Sequence, residues 1–315
     1  MMSWLVEDKG ALHGAAAARI LSGCAVLGLL VSNIGPRDVL FGPGAVWAAP
    51  VQGGVGGAPH YWPTELVARL GSTAFLFYYL AIIVLALLWI AGWRTRLVGL
   101  LMLIGEVSIV ERTPLVGDQG DNILRVGLVL LLFMQSSDHW SLDSRRRARQ
   151  GPRRPVVPLW LSNGVHNIAL AALAFQVVLV YFAAGMAKAR GDLWQHGTAL
   201  YYPLQLQEFR PFPLLNDLFN VGLVIGIATY AVLVIELGFG FAMLHPVARR
   251  VAIAGVIAMH VAIAVLMALP WFSLSMLAFV AIFVSSNTYD TLDRWLRARL
   301  RGRFGRDDLR HAPAG

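Results

Sequence analysis

The chain has 315 residues, a mean hydropathy of +0.62 and only 14% charged residues, where a soluble domain carries about 25%. Its formal net charge of +8 is split between long uncharged stretches, a pattern of helical membrane spans that argues against a soluble nucleic-acid binder. The lone cysteine, Cys24, excludes an intramolecular disulfide and a cysteine metal centre, and no metal is expected.

Eight apolar segments follow one another, at about 15–33, 72–92, 97–110, 122–136, 164–187, 218–243, 251–269 and 271–287. A membrane β-barrel would show short alternating segments instead. The first reads as a transmembrane helix rather than a cleaved signal peptide, with a signal anchor as the alternative. Six segments are long enough for a hydrocarbon core of ~30 Å. The third and fourth are short, contain Glu106 and Arg125, and flank the polar stretch 111–122. They are either short spans or a re-entrant hairpin. The expected fold is an all-α, polytopic transmembrane helical bundle of about eight helices.

Nineteen of the 26 Lys and Arg residues fall on one side of this map, above all in the loop 144–158 and the C-terminal tail. By the positive-inside rule both termini are cytoplasmic and the protein is multi-pass in the plasma membrane. Residues 1–288 form the transmembrane domain. Residues 289–315 form a basic tail that is amphipathic around Trp295, Leu296 and Leu300 and then disordered. Its charges face anionic lipid, so lipid is an expected partner and nucleic acid is not. No internal repeat is visible, so an inverted-repeat transporter is unsupported.

The opposite, outer face receives the loop 34–71, the stretch 111–122, the segment 188–217 and the turn at Pro270-Trp271. It is rich in aromatic residues: Trp47, His60, Tyr61, Trp62, Trp194, Tyr201, Tyr202, Phe209 and Phe212. These are either interfacial anchors or the lining of a cavity for a flat lipophilic ligand. The Gly-rich run 53–57 has no strand–helix context and implies no phosphate site.

Lys188 ends the fifth apolar segment. Tyr181 and Gly185 precede it on the same helix face. Two readings stand: a lysine that snorkels to water, or a base whose charge a partly dry pocket disfavours. Gly185 lacks a side chain, so another group can approach there. Glu106, Glu236 and His260 also lie in apolar segments, where ionisable groups turn inward to a partner. Glu236 and His260 stand on consecutive helices joined by the short loop 244–250. They are expected to meet as a pair that either fixes packing or relays protons.

Several strings together resemble a known family. They are Tyr181-Phe-Ala-Ala-Gly-Met-Ala-Lys188, Trp194-x-x-Gly-Thr-Ala-Leu-Tyr-Tyr202, Gly117-Asp-Gln-Gly-Asp-Asn122-Ile-Leu-Arg125 and Asp138-His-Trp-Ser-Leu-Asp143. Glu236, then His260, then Phe272-Ser-Leu complete the order. The chain resembles, over 15–287, the HTTM domain, the membrane part of vitamin K-dependent γ-carboxylases and their bacterial relatives. The resemblance implies Lys188 as the base that deprotonates a reduced vitamin K or menaquinone-type quinol. Oxygenation of the quinol then yields a strong base that takes the γ-proton of a peptide glutamate, and the carbanion captures CO2. It implies His260 as a second catalytic residue, and Tyr181, Gly185, Trp194, Asn122, Arg125 and Glu236 around the cofactor. Two features depart from the animal enzymes. Ala187 replaces the first of two adjacent lysines, and only 28 residues follow the last apolar segment. The large domain that docks protein substrates is therefore not expected, and the expectation moves to quinol chemistry or a related base-driven reaction. The alternative is a non-catalytic membrane factor for maturation or export of a secreted peptide or protein, as a sister group implies.

Overall fold

A computed structural model describes residues 3–45, 65, 67–112, 117–151 and 157–307. Trp47, His60, Tyr61, Trp62 and the Gly-rich run 53–57 lie outside the described residues. The described residues form helices and no strand, as expected. Five helices are long and apolar enough to cross a membrane: α1 (Leu12–Ser32), α2 (Ser72–Ala91), α6 (Leu159–Ala189), α7 (Gly222–Ala242) and α8 (Pro246–Leu266). Between α2 and α6 lie α3 (Thr95–Val110), α4 (Gln119–Phe133) and the arginine-rich α5 (Leu142–Gln150). After α8 come α9 (Pro270–Val280), a 3-10 turn at Ala281–Phe283 and α10 (Ser286–Asp307).

The short α3 and α4 pack side by side with the longer helices and are not among the five long and apolar enough to cross a membrane. At 1.5 Å per residue they are about 24 and 22 Å long. Contacts along α3 run antiparallel to α2. Gly99 meets Trp89, a Cβ on Gly105 would lie 2.7 Å from Ile82, and the Ser108 and Tyr78 hydroxyls share a 2.7 Å hydrogen bond. α4 runs parallel to α9, with Gly120 against Phe272 and Gly127 against the Phe279 ring, one heptad on in both. α1 lies antiparallel to α9, from Gly14 against Ala281 and Ile282 to Gly28 under Trp271. Lipid gives helices no hydrophobic reason to associate, so backbone-close packing at small residues carries this assembly. Phe75, Tyr79, Ile82, Trp89, Met102, Leu128 and Phe279 fill the resulting core.

One end of the bundle holds α5 and the segment that precedes it; we call it the basic end and its opposite the far end. Exposed Trp93, Trp140, Trp160 and Trp295 mark the basic end, as an interfacial belt would. Arg19 is fully buried there. Its guanidinium donates to the carbonyls of Trp89 (2.6 Å), Ile90 (2.5 Å), Ser136 (3.0 Å) and Trp140 (2.8 Å). It closes the open C-terminal carbonyls of α2 and ties them to the segment after α4.

Asp143 performs the matching task for α3. Its carboxylate accepts from Arg94 N–H (3.0 Å), Thr95 N–H (2.9 Å) and the Thr95 hydroxyl (2.7 Å). Burial pushes this carboxyl up, but those hydrogen bonds and the Arg147 charge outweigh it and hold Asp143 below the usual carboxylate range. A depressed folded value means stability that is present above the unfolded pKa of about 4 and is lost as the pH falls through the folded value. Asp143→Asn is therefore expected to cost about 1–2 kcal/mol at pH 7, as for a lost helix cap. Melting curves of the two proteins should converge on acidification below about pH 4; a constant gap down to pH 3 contradicts the assignment.

The start of α6 carries a polar face that sequence reading did not single out. Asn163 donates to the Val6 and Glu7 carbonyls, and Asn167 to those of Leu5 and Asp8. His166 Nδ1 accepts from Gln135 N–H, which sets its tautomer so that Nε2–H donates to the Gly10 carbonyl. Asn163, His166 and Asn167 are spaced i, i+3, i+4, so one helix face clips the N-terminal segment. α10 leaves α9 at 110°. Tyr289 fixes its start by donating to the Ala281 carbonyl (2.7 Å), and His13, stacked on His139, lies 3.4 Å from Asp290. The side chains of Leu296 and Leu300, and residues 308–315, lie outside the described residues.

Candidate functional site

Lys188 sits in the last turn of α6 at the far end, with its side chain 29% exposed. Its ammonium donates to both carboxylate oxygens of Glu236 on α7, at 2.7 and 2.8 Å. Glu236 is 7% exposed, so most of its hydration is replaced by this one contact. Trp194, in the short helix Asp192–Gln195, covers the pair with its ring centroid 5.6 Å from the Lys188 nitrogen.

Gly185 explains why α6 and α7 come this close. A Cβ there would lie 2.9 Å from the Leu237 side chain and 3.1 Å from Glu236 Cβ. The space expected for a ligand at Gly185 is occupied by α7 itself, because the bare backbone lets the helix in. Gly185 is thus a packing residue between α6 and α7.

One turn and more below, Tyr181 and His260 form a second pair. The Tyr181 hydroxyl and His260 Nε2 share a 2.9 Å hydrogen bond, and both residues are 1% exposed. Phe239 packs on Tyr181 with ring centroids 5.0 Å apart, and Phe272 packs on His260 at 5.7 Å. His260 Nδ1 is buried and has no hydrogen-bond partner among the described residues. The pairing expected between Glu236 and His260 does not form directly. Glu236 takes Lys188 and His260 takes Tyr181, because α7 and α8 each turn their polar residue toward α6 rather than toward each other.

Asn122 and Arg125 belong to a separate polar cluster on α4. Arg125 pairs with Glu111 and donates to Asn122 Oδ1 at 3.0 Å. Asp118 caps α4, accepting from Gly120 and Asp121 N–H, and burial pushes its carboxyl up despite these bonds. No described hydrogen bond or ion pair joins this cluster to Lys188. Phe272 connects the two regions by contact. It packs on His260 and also lines a cavity of about 130 Å³ with Asp118, Asp121, Trp271 and Ser275.

An apolar groove of about 610 Å³ runs along the far half of α7, over Gly222, Gly226, Ile227, Tyr230 and Ile235. It stops one residue before Glu236. Tyr230 also donates to the Gln195 carbonyl and touches Gly197, tying the groove's rim to the segment that carries Trp194. Among the described residues no group of three His, Cys, Asp or Glu side chains is placed to hold a metal ion.

The HTTM domain family profile matches residues 55–287, which include Lys188, Glu236, Tyr181 and His260. The chain belongs to the HTTM domain family. The resemblance was expected from residue 15; the match begins at residue 55, after α1, and ends at 287 as expected. An uncharacterized protein of Bacillus subtilis strain 168, YitO, is 27% identical over 223 residues, which is 67% of each chain. No solved structure matches the chain. This HTTM protein is accordingly a multi-pass integral membrane protein, and the matched segment contains both the Lys188–Glu236 and the Tyr181–His260 pairs.

Proposed function

We propose that this HTTM protein carries out acid–base chemistry on a lipophilic quinol at the extracytoplasmic leaflet of the plasma membrane, with Lys188 as the base. The observation that supports this most is the Lys188 ammonium held between both oxygens of a nearly dry Glu236, above the buried Tyr181–His260 pair. In a medium of low dielectric, an ion pair competes with the neutral form in which the proton has moved to the carboxylate. Glu236 can thus take the Lys188 proton and leave an amine able to accept one from a hydroxyl. A reduced quinol of the menaquinone or vitamin K type would supply that hydroxyl and, when bound, the redox chemistry toward oxygen.

The residues fit such a group in chemistry. Lys188 is reachable from its exposed side, and the Trp194 ring shields it. Tyr181 and His260 close off water from below, and the unpartnered His260 Nδ1 offers a hydrogen-bonding position. The apolar groove on α7 suits an isoprenoid chain. The 130 Å³ cavity is smaller than the roughly 300 Å³ at the low end of small-molecule sites, so it suits water or a gas-sized molecule and not a ring system.

Lys188→Arg separates base from ion pair, since a guanidinium keeps the charge but does not give up its proton. In lipid nanodiscs with reduced menaquinone and oxygen, the parent protein should consume the quinol. Lys188→Arg should melt near the parent and lose roughly a hundredfold or more of the rate. Equal rates for parent and variant, or no consumption by the parent, contradict the reading.

A second reading rests on a different observation. The far-end segment 201–221 exposes Tyr202, Phe212, Leu214 (86%), Leu218 and Val221, more apolar side chain than a solvated loop needs. That surface supports a non-catalytic factor that holds a secreted peptide or protein during maturation or export. On this reading Lys188→Arg keeps full function in the cell.

A further inference from the structure

At the basic end, a groove of about 610 Å³ gathers Arg94 and Arg96 from the start of α3 with Arg146 and Arg147 from α5. Asp143 is the one acidic residue in its lining, and its carboxylate is taken up by Arg94 N–H, Thr95 N–H and the Thr95 hydroxyl. Arg147 is engaged with Asp138 and the Ser137 carbonyl. Arg94, Arg96 and Arg146 have no ion pair among the described residues. Four guanidinium groups thus converge on one groove whose lining holds a single carboxylate, that of Asp143. Such an arrangement is costly by mutual repulsion unless an anion joins it.

The surroundings decide which anion. Exposed Trp93 places the groove at the level of the membrane interface. Directly below it, Leu97, Leu100 and Leu101 form one exposed apolar face of α3, at i, i+3 and i+4. A free phosphate would use the arginines only. A phospholipid would use the arginines for its headgroup and the leucines for its acyl chains.

We propose that this groove binds the headgroup of an anionic phospholipid whose acyl chains lie along α3. The inference is independent of the quinol reading and concerns the opposite end of the bundle. Arg96 and Arg146 are exposed and make no described hydrogen bond within the protein, so they are the residues to change. The full-length protein is titrated with phosphatidylglycerol in phosphatidylcholine nanodiscs, and binding is read by native mass spectrometry and by the rise in melting temperature. Arg96→Gln with Arg146→Gln should weaken phosphatidylglycerol binding roughly thirtyfold and remove most of the rise. Arg297→Gln with Arg299→Gln, which removes equal charge from α10, should change binding less than threefold. Should the groove variant melt below the parent in phosphatidylcholine alone, Arg96→Gln by itself is measured, with roughly fivefold weaker binding expected. Parental affinity in the groove variants, an equal loss in the α10 variant, or an equal rise in melting with inorganic phosphate alone would each overturn the proposal.

Discussion

Arg19→Ala is expected to destabilise the protein more than any other single substitution considered, by about 3–5 kcal/mol. The side chain is fully buried and serves four carbonyls at 3.0 Å or less, from Trp89, Ile90, Ser136 and Trp140. Hydrogen bonds to a charged donor contribute about 1.5–3 kcal/mol each, and an orphaned buried carbonyl costs about 1–3 kcal/mol. Those terms overlap and do not add, which is why the total stays below their sum. Gly92 is involved as well. It adopts φ 67°, where the chain turns sharply after α2, and a Cβ there would lie 2.9 Å from Arg19. Alanine therefore leaves a set of carbonyls that the turn cannot rearrange to satisfy. Arg19→Lys should recover only part of the loss, since an ammonium has three donors on a flexible stem where a guanidinium has five in a plane. Thermal unfolding in one detergent orders the three proteins parent, lysine, alanine. Equal melting of alanine variant and parent contradicts the structural role of Arg19.

The second large effect falls on Lys188. Lys188→Ala should do two things at once: abolish quinol-dependent activity, by a factor of roughly a hundred to ten thousand, and lower stability by about 2–3 kcal/mol. The stability loss arises because Glu236 remains in a dry position with no counter-charge. The figure is below the full range for buried pairs because the Lys188 side chain keeps 29% of its exposure. Adding Glu236→Gln to Lys188→Ala removes the stranded charge. The double variant should regain most of the stability and none of the activity. This split separates a base from a packing device, since a purely structural pair would regain both together.

How far the sequence disclosed these features depends on the kind of information each one needs. Helix positions followed from apolar length, and even the short α3 and α4 stood where the segments 97–110 and 122–136 suggested. How those two pack against the longer helices was not legible. It rests on the register of Gly99, Gly105 and Gly127 against Trp89, Ile82 and Phe279, which no single helix states. The site residues were legible as candidates: Lys188, Glu236, Tyr181 and His260 are among the ionisable or hydroxyl groups of apolar helices, and such groups turn inward. Their partners were not. A short loop between α7 and α8 suggests that Glu236 meets His260, but rotation of each helix about its axis decides the contact. Gly185 admits α7 against α6 and gives Glu236 to Lys188 instead.

Arg19 escaped notice for a related reason. An arginine about two turns into an apolar helix normally reaches back for water, and only carbonyls at the end of α2 and after α4 turn it inward. Asn163, His166 and Asn167 carried a usable signal, a polar stripe at helical spacing opening the longest apolar helix. Asn122 and Arg125 were drawn toward the cofactor by resemblance. In the structure Arg125 pairs with Glu111 and donates to Asn122, a contact pattern that no sequence spacing stated.

The most direct measurement is oxygen-dependent consumption of reduced menaquinone by the Lys188→Ala, Glu236→Gln double variant in nanodiscs, beside the parent and after both are shown to melt alike. The Lys188–Glu236 pair as the acid–base centre predicts a rate at the protein-free background for the variant and a rate well above it for the parent. A variant rate equal to the parent's contradicts it.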